Sequence, residues 1–154
     1  LLGHPSSWHR ETAQRLLVEK GALESTPLLT SLLGQKGNSL EKLHAIYALE
    51  GLKQNNLENI LRILNDNEPG LREHGLQLAS NHLQPQTLVG SPSGKAVRSK
   101  VLALAKDDNP KVRFQAIITL GGFNDNPSEI AELIFLLNQL RIYLNLLSRL
   151  FAMS

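Results

Sequence analysis

The stretch Asn109-Pro110-Lys111-Val112-Arg113-Phe114-Gln115-Ala116-Ile117-Ile118-Thr119-Leu120-Gly121 decides how the rest of the chain is read. Asp108 or Asn109 can cap a helix, and Pro110 suits the first helical position, where no backbone donor is required. Val112, Ala116 and Leu120 recur at i, i+4 and i+8 and make one apolar face. Ala116 is small, which lets a second helix come close. Gly121-Gly122 supplies the stop. A helix this short cannot bury its stripe alone. It therefore implies neighbours of the same kind, and it reads as the second helix of a two-helix repeat.

The neighbours lie upstream. Glu68-Pro69-Gly70-Leu71-Arg72-Glu73-His74-Gly75-Leu76-Gln77-Leu78-Ala79 repeats the pattern, with Gly75 in the place of Ala116. Ser39-Leu40-Glu41-Lys42-Leu43-His44-Ala45-Ile46-Tyr47-Ala48-Leu49 repeats it again, with Lys42 for the arginine. A first copy begins at Ser7. The small residues Ala13, Ala45, Gly75 and Ala116 are 32, 30 and 41 positions apart. A preceding series, Leu28, Ile60 and Val101, has intervals of 32 and 41. The longer last interval predicts an insertion between Leu83 and Lys95. The expected fold is all-α, a right-handed superhelix of about four helix pairs in one domain, 1–154. The repeats fall roughly at 7–34, 39–65, 69–106 and 110–153, with a surface loop over 84–94.

Composition bounds the possibilities. With 154 residues the chain can bury one continuous core. Apolar residues are 42% but aromatics only 5%, which suits Leu-rich helix-on-helix packing. A net charge of +2 is nearly balanced, so the isoelectric point of 9.1 carries little weight. A nucleic-acid binder is expected to show a denser basic stripe. The absence of cysteine excludes disulfides, thiolate metal sites, a cysteine nucleophile and covalent haem attachment. The start at Leu1, without a signal-like stretch, gives the expectation of a segment of something larger.

The final segment, Ser128 to Met153, departs from the repeat. Leu133 to Leu137 is an unbroken apolar run, and Leu140, Ile142, Tyr143, Leu144, Leu146, Leu147, Leu150 and Phe151 follow. Asn138, Gln139, Arg141, Asn145 and Arg149 interrupt it too often for a membrane span. One or two helices covering the open end of the stack are expected. A helical stack normally ends in a cap with a polar outer face. This end has few polar residues, so the segment is also expected to self-associate or to meet a further domain.

Three stretches carry a family resemblance: Ser7-Trp8-His9-Arg10-Glu11-Thr12-Ala13-Gln14-Arg15-Leu16-Leu17-Val18-Glu19, Leu43-His44-Ala45-Ile46-Tyr47-Ala48-Leu49-Glu50-Gly51-Leu52 and Leu71-Arg72-Glu73-His74. Together they resemble the HEAT-repeat region of the large planctomycete and verrucomicrobial membrane-bound dehydrogenase proteins, which bind haem. In that family a sugar-dehydrogenase-like β-propeller comes first, helical repeats follow, and a cytochrome c domain closes the chain. The resemblance covers roughly residues 1–123, and the tail from Glu129 matches less well. Neither the propeller nor the haem-attachment motif is present in this sequence. What the resemblance implies is a HEAT-like spacer or docking module between redox domains, outside the cytoplasm.

Candidate chemistry is sparse. His4, His9, His44, His74 and His82 could offer imidazoles to a metal or haem. No pair, however, has helical i, i+4 spacing with a third acidic ligand. His44 and His74 hold nearly equivalent repeat positions, which predicts a place at the seam between repeats. Arg10, Lys42, Arg72 and Arg113 form a basic column, one per repeat. They read either as an anion-binding or nucleic-acid-binding ridge or as a ladder pairing with turn acids such as Asp66 or Asp107, and HEAT repeats commonly use the ladder. Trp8, the only tryptophan, reads either as a recognition aromatic on a concave surface or, as favoured here, as a packing residue that meets a domain upstream. No Ser–His–Asp order, phosphate loop or paired-carboxylate motif is legible. The expectation is no catalytic, cofactor-binding or metal-binding residue, protein partners, and a non-catalytic scaffold. Two alternatives are a HEAT-type nucleic-acid-binding protein of the alkylpurine glycosylase kind and a HEAT-like chromophore lyase, since fold alone does not decide function.

Overall fold

The computed structural model describes residues 1–82 and 91–122, together with the single positions 135 and 138. Over these residues the protein is all-helical, with seven α-helices, one short 3-10 turn and no strand. The helices are α1 (Ser7–Glu19), α2 (Thr26–Gly34), α3 (Ser39–Gly51), α4 (Leu57–Leu64), α5 (Pro69–His82), α6 (Pro92–Leu104) and α7 (Pro110–Gly121). The expectations for the C-terminal segment and for most of the insertion lie outside the described residues.

Local chemistry places most of the helix ends. Asn38, Asn56, Ser91 and Asn109 each accept a hydrogen bond from a backbone N–H in the first turn of α3, α4, α6 and α7. Such caps satisfy donors that have no partner inside the helix. The start of α6 corrects the expected loop over 84–94. Ser91 Oγ accepts from Gly94 N–H at 3.0 Å and Pro92 takes the first position, so Gly94 lies inside a helix and is buried. A Ser-Pro-Ser-Gly cluster reads as a loop by composition but here opens a helix.

Two helices end by reversing the backbone. Gly21 (φ 59°) follows α1, and Ala22 N–H reaches Leu17 O at 3.0 Å while Gly21 N–H reaches Val18 O at 3.0 Å. The same paired closure ends α3, but Lys53 (φ 57°) occupies the left-handed position and Gln54 N–H bonds Leu49 O at 2.9 Å. Here the left-handed stop falls on a residue with a Cβ.

The helices pack in two rows. In the odd row α1 lies on α3, α3 on α5 and α5 on α7. In the even row α2 lies on α4 and α4 on α6. Across the rows α2 packs on α3, α4 on α5 and α6 on α7. Consecutive helices thus group as 26–51, 57–82 and 92–121, which differs from the boundaries read along the sequence. The core between the rows includes the fully buried Ile46, Leu49, Ile60, Ile63, Leu64, Leu76, Val97, Val101 and Val112. Side chains of this size are each worth about 1.5–3 kcal/mol when buried.

The even-row register also differs from the expected one. Ile60 and Val101 are buried, yet Leu28 is 64% exposed. The residues that share a place are Leu33, Ile63 and Leu104, all buried and 30 and 41 positions apart. Those are the intervals of Ala45, Gly75 and Ala116, so both rows keep one step. Helix α4 buries Asn59, Ile60, Ile63 and Leu64, while Leu57 and Leu61 are half-buried, because α2, α5 and α6 all press on it. The small positions are where the rows touch. A Cβ on Gly75 would lie 3.0 Å from Ile63 Cγ2 and 3.1 Å from Leu64 Cδ2.

Ala116, fully buried at the equivalent place, is expected to tolerate no large side chain. Ala116→Phe is predicted to lower stability by about 1–3 kcal/mol through overpacking, measured by chemical denaturation. Full tolerance would show that this face is not a contact between helices. Conversely, Lys53→Gly is predicted to raise stability by about 0.5–1 kcal/mol, because glycine takes a positive φ without the Cβ clash. An unchanged or lowered denaturation midpoint would contradict that.

Candidate functional site

The basic column lies at one edge of the odd row, and each of its members is the fourth residue of its helix. Arg10 Nη1 donates to the carbonyls of His4 and Pro5, both at 2.7 Å. Arg72 Nη1 donates to Asp66 O and Asn67 O at 2.9 Å each. Arg113 Nη1 donates to Asp107 O at 2.7 Å and Asp108 O at 3.0 Å. In all three the targets are the carbonyls six and five residues back. One guanidinium therefore staples the turn that leads into its own helix.

The same side chains reach the next unit. Arg72 holds Asp107 with two parallel bonds, Nε to Oδ2 and Nη2 to Oδ1, both 2.9 Å. Lys42 Nζ lies 2.6 Å from Asp66 Oδ2. Each of these aspartates also accepts from a backbone N–H in its own turn, Asp66 from Glu68 and Asp107 from Asn109, at 2.9 Å. Burial alone would raise both carboxyl pKa values. The bonds from Lys42 and Arg72, the backbone N–H groups and the nearby arginine charges outweigh it and hold both below the usual carboxylate value. The ladder named in the sequence, with Asp66 and Asp107 as its acids, is the arrangement found.

One rung is different in kind. Asp66 and Asp107 stand six residues before Arg72 and Arg113, but the residue six before Lys42 is Lys36. Arg10 consequently has no acid at that place and instead donates from Nε to His44 Nε2 at 3.3 Å. Arginine can only donate, so His44 Nε2 accepts and the ring proton sits on Nδ1, 2.7 Å from Gln14 Oε1. Burial, reinforced by the Arg10 charge and only partly opposed by Glu11, holds the His44 pKa below its ordinary value. Spacing shows the missing acid, but not the histidine that replaces it.

The other histidines are likewise engaged between units or at the chain's start. The Tyr47 hydroxyl lies 2.9 Å from His74 Nδ1, and the two rings meet edge to face at 5.6 Å. Burial, then the Glu50 charge, pushes the Tyr47 phenol up. His82 Nε2 lies 2.8 Å from Glu50 Oε2, again joining α5 to α3. His44 and His74 thus sit at the seam where the repeat equivalence put them. The His4 and His9 rings are 4.1 Å apart, and Trp8 meets His9 edge-on at 5.0 Å. Trp8 is 66% exposed. Among the described residues no three His, Asp or Glu side chains gather as a metal site, and no described helix is long and apolar enough to cross a membrane.

Depressions also mark the surface of the described residues. An open polar trench of about 810 Å3 runs along the turns, with Lys36, Lys42, Arg62, Glu58, Asp66 and Glu68 among its walls. Its mixed charges favour neither an anion nor a cation. A second groove of about 550 Å3 lies between α1 and α2 and is lined mainly by leucine and alanine. Comparison with protein-family models, with curated proteins and with solved structures gives no match.

The pH dependence of stability follows from these contacts. A neutral His44 in the folded state binds its proton more weakly than in the unfolded chain, where the pKa is near 6.5. Its contribution is present above that value and is lost as pH falls below it. The Asp66 and Asp107 contributions persist to lower pH and are lost as the carboxyls are protonated below their unfolded value of 3.8. Thermal melts of His44→Gln are predicted to show a flatter decline between about pH 7 and pH 5 than the unmodified chain, with the acid limb near pH 3 unchanged. An identical decline in both proteins would remove His44 from the account.

Proposed function

We propose that the chain is a HEAT-like helical-repeat solenoid that serves as a non-catalytic scaffold for protein contacts. The observation that carries this reading is the turn used three times, in which an arginine at the fourth helical position holds the carbonyls six and five residues back. A turn repeated in that way, with helices stacked in two rows, is what a quasi-one-dimensional array requires. The chemistry of the column supports the same reading. Its cations are directed into turns and neighbouring units, and the Lys42 and Arg72 side chains are only 12% and 15% exposed. They are poorly placed to neutralise a phosphate backbone. The resemblance to the repeat region of the dehydrogenase family adds that the scaffold is a spacer or docking module between extracytoplasmic redox domains.

A repeat array accepts an additional unit, whereas a closed helical bundle does not. Duplicating residues 53–82 in tandem is predicted to give a folded chain that is longer by about 10 Å, one helix-to-helix spacing, by small-angle X-ray scattering. A duplicated chain that aggregates or keeps its original length would sink the solenoid reading. In the same preparation the unmodified chain is expected to bind duplex DNA no more tightly than about 10⁻⁴–10⁻⁶ M at physiological salt. Tighter, salt-sensitive binding would favour the nucleic-acid alternative.

A further inference from the structure

The ladder between units has one step at which the donors that hold a carboxylate elsewhere are present and the acid is not. At the last step the carboxylate is shared by two donors. Arg72 holds Asp107 through Nη2 to Oδ1 and Nε to Oδ2, and the Asn109 N–H also donates to Oδ1 at 2.9 Å. One oxygen thus sits between a guanidinium nitrogen of the unit before and the N–H two residues after the aspartate. Asp66 is held in the same manner by Lys42 and the Glu68 N–H. At the first step Lys36 stands in the aspartate's position, so the corresponding donors are Arg10 and the Asn38 N–H.

Neither donor meets an acid. Arg10 is only 8% exposed, yet among the described residues no carboxylate pairs with it. Its Nη1 serves the His4 and Pro5 carbonyls and its Nε serves His44. Among the described residues Nη2 has no acceptor, and solvent reaches it. The Asn38 N–H likewise has no acceptor among them. Both donors belong to one place. Nε and Nη2 share an edge of the guanidinium, and the Nε bond to His44 turns that edge towards α3. Asn38 Nδ2 donates to Gly3 O at 3.1 Å, which sets the turn before α3 against the turn that Arg10 holds. This place lies between α1 and α3, away from the end of the stack. Lys36 is exposed and adds positive charge to the same turn. A largely buried cation without a counter-charge is costly, and an anion relieves that cost.

We propose that this place binds a carboxylate supplied from outside the chain, with one oxygen accepting from both Arg10 Nη2 and the Asn38 N–H. That is the position of Asp107 Oδ1 between Arg72 and Asn109. The carboxylate belongs either to a small free acid or to an acidic residue of a bound peptide, and the chemistry of recognition is the same for both. Such a site depends on the turn contacts alone, and stands or falls separately from the scaffold reading.

The probe is sodium acetate, added to the isotopically labelled full chain at pH 7 with ionic strength held constant by sodium chloride. The Asn38 amide and the Arg10 guanidinium resonances are followed. Saturable shifts at both are expected, half complete between about 1 and 100 mM. Lys36→Asp places a carboxylate of the chain itself at the site. Position 36 is exposed, so the variant is expected to fold. Its melting temperature is expected to rise by about 2–4 °C, and acetate no longer to shift Asn38. An N-acetylated, C-amidated peptide copying residues 65–69, with Asp66 in it, separates the two sources. Binding at least about tenfold tighter than acetate assigns a peptide-borne carboxylate, and equal binding assigns a small free acid. Shifts that stay linear in acetate would overturn the proposal, as would saturable shifts that persist in Lys36→Asp. A response to inorganic phosphate without one to acetate would overturn it too. Glu41 Oε1 lies beside Gly3, 3.0 Å from where a Cβ there would stand. Saturation seen only in Glu41→Gln would mean that Glu41 fills the place from within, and would also overturn the proposal. The titration of the unmodified chain decides by itself should a variant fail to fold.

Discussion

The stack depends on how a basic side chain reads the turn before its own helix. A turn between two packed helices leaves carbonyls without helical partners, and near a core these must be bonded. Arginine suits the task because its planar group carries five donors in a fixed fork. Arg72 uses one nitrogen for two turn carbonyls and the other two for Asp107 of the next unit. Turn geometry and unit-to-unit register are thereby set by one side chain. Lysine has a single nitrogen, and Lys42 makes its recorded contact with the acid, Asp66. The partly buried Arg72–Asp107 pair is also the kind whose disruption is costly, since either partner alone would be an uncompensated charge.

The step from α1 to α3 is held differently. Lys36 stands where the other steps have an aspartate, and the rung is a neutral imidazole accepting from Arg10. A single bond of that kind contributes less than a bidentate ion pair, roughly 0.5–1.5 kcal/mol. Close backbone approach makes up part of the difference. A Cβ on Gly51 would come within 2.6 Å of Val18 Cγ2, so α1 and α3 meet at a point where only glycine fits. The first step is therefore apolar and pH-sensitive, whereas the later ones are ionic down to low pH.

Three of the five histidines bind at the seams between odd-row helices. His44, His74 and His82 each bond a side chain on the neighbouring odd-row helix. Bonds of that kind tie each odd-row helix to the one before it. Exposed apolar side chains include Leu16 on α1, Leu28 on α2, Leu40 on α3, and Phe114 and Ile118 on α7.

Features encoded within a few residues were legible from sequence. The Asn109-Pro110 start, the Gly121-Gly122 stop, the basic column and the seam positions of His44 and His74 could all be read there. Capping and turn chemistry act over one helical turn, and equivalent repeat positions receive equivalent neighbours. The basic column needed only its spacing and the acids in the turns. Tertiary structure alone decided what covers each face. It exposed Leu28 while burying Ile60 and Val101, moved the common register to Leu33, Ile63 and Leu104, and buried Asn59. It also placed Lys53 at a positive φ and left Leu16 open where Ala48 is sealed. An apolar residue carries no mark of which helix will lie on it. Burial is a property of the neighbour as much as of the residue, and the neighbours here range from Leu64 against Gly75, 11 positions apart, to Leu76 against Thr119, 43 positions apart.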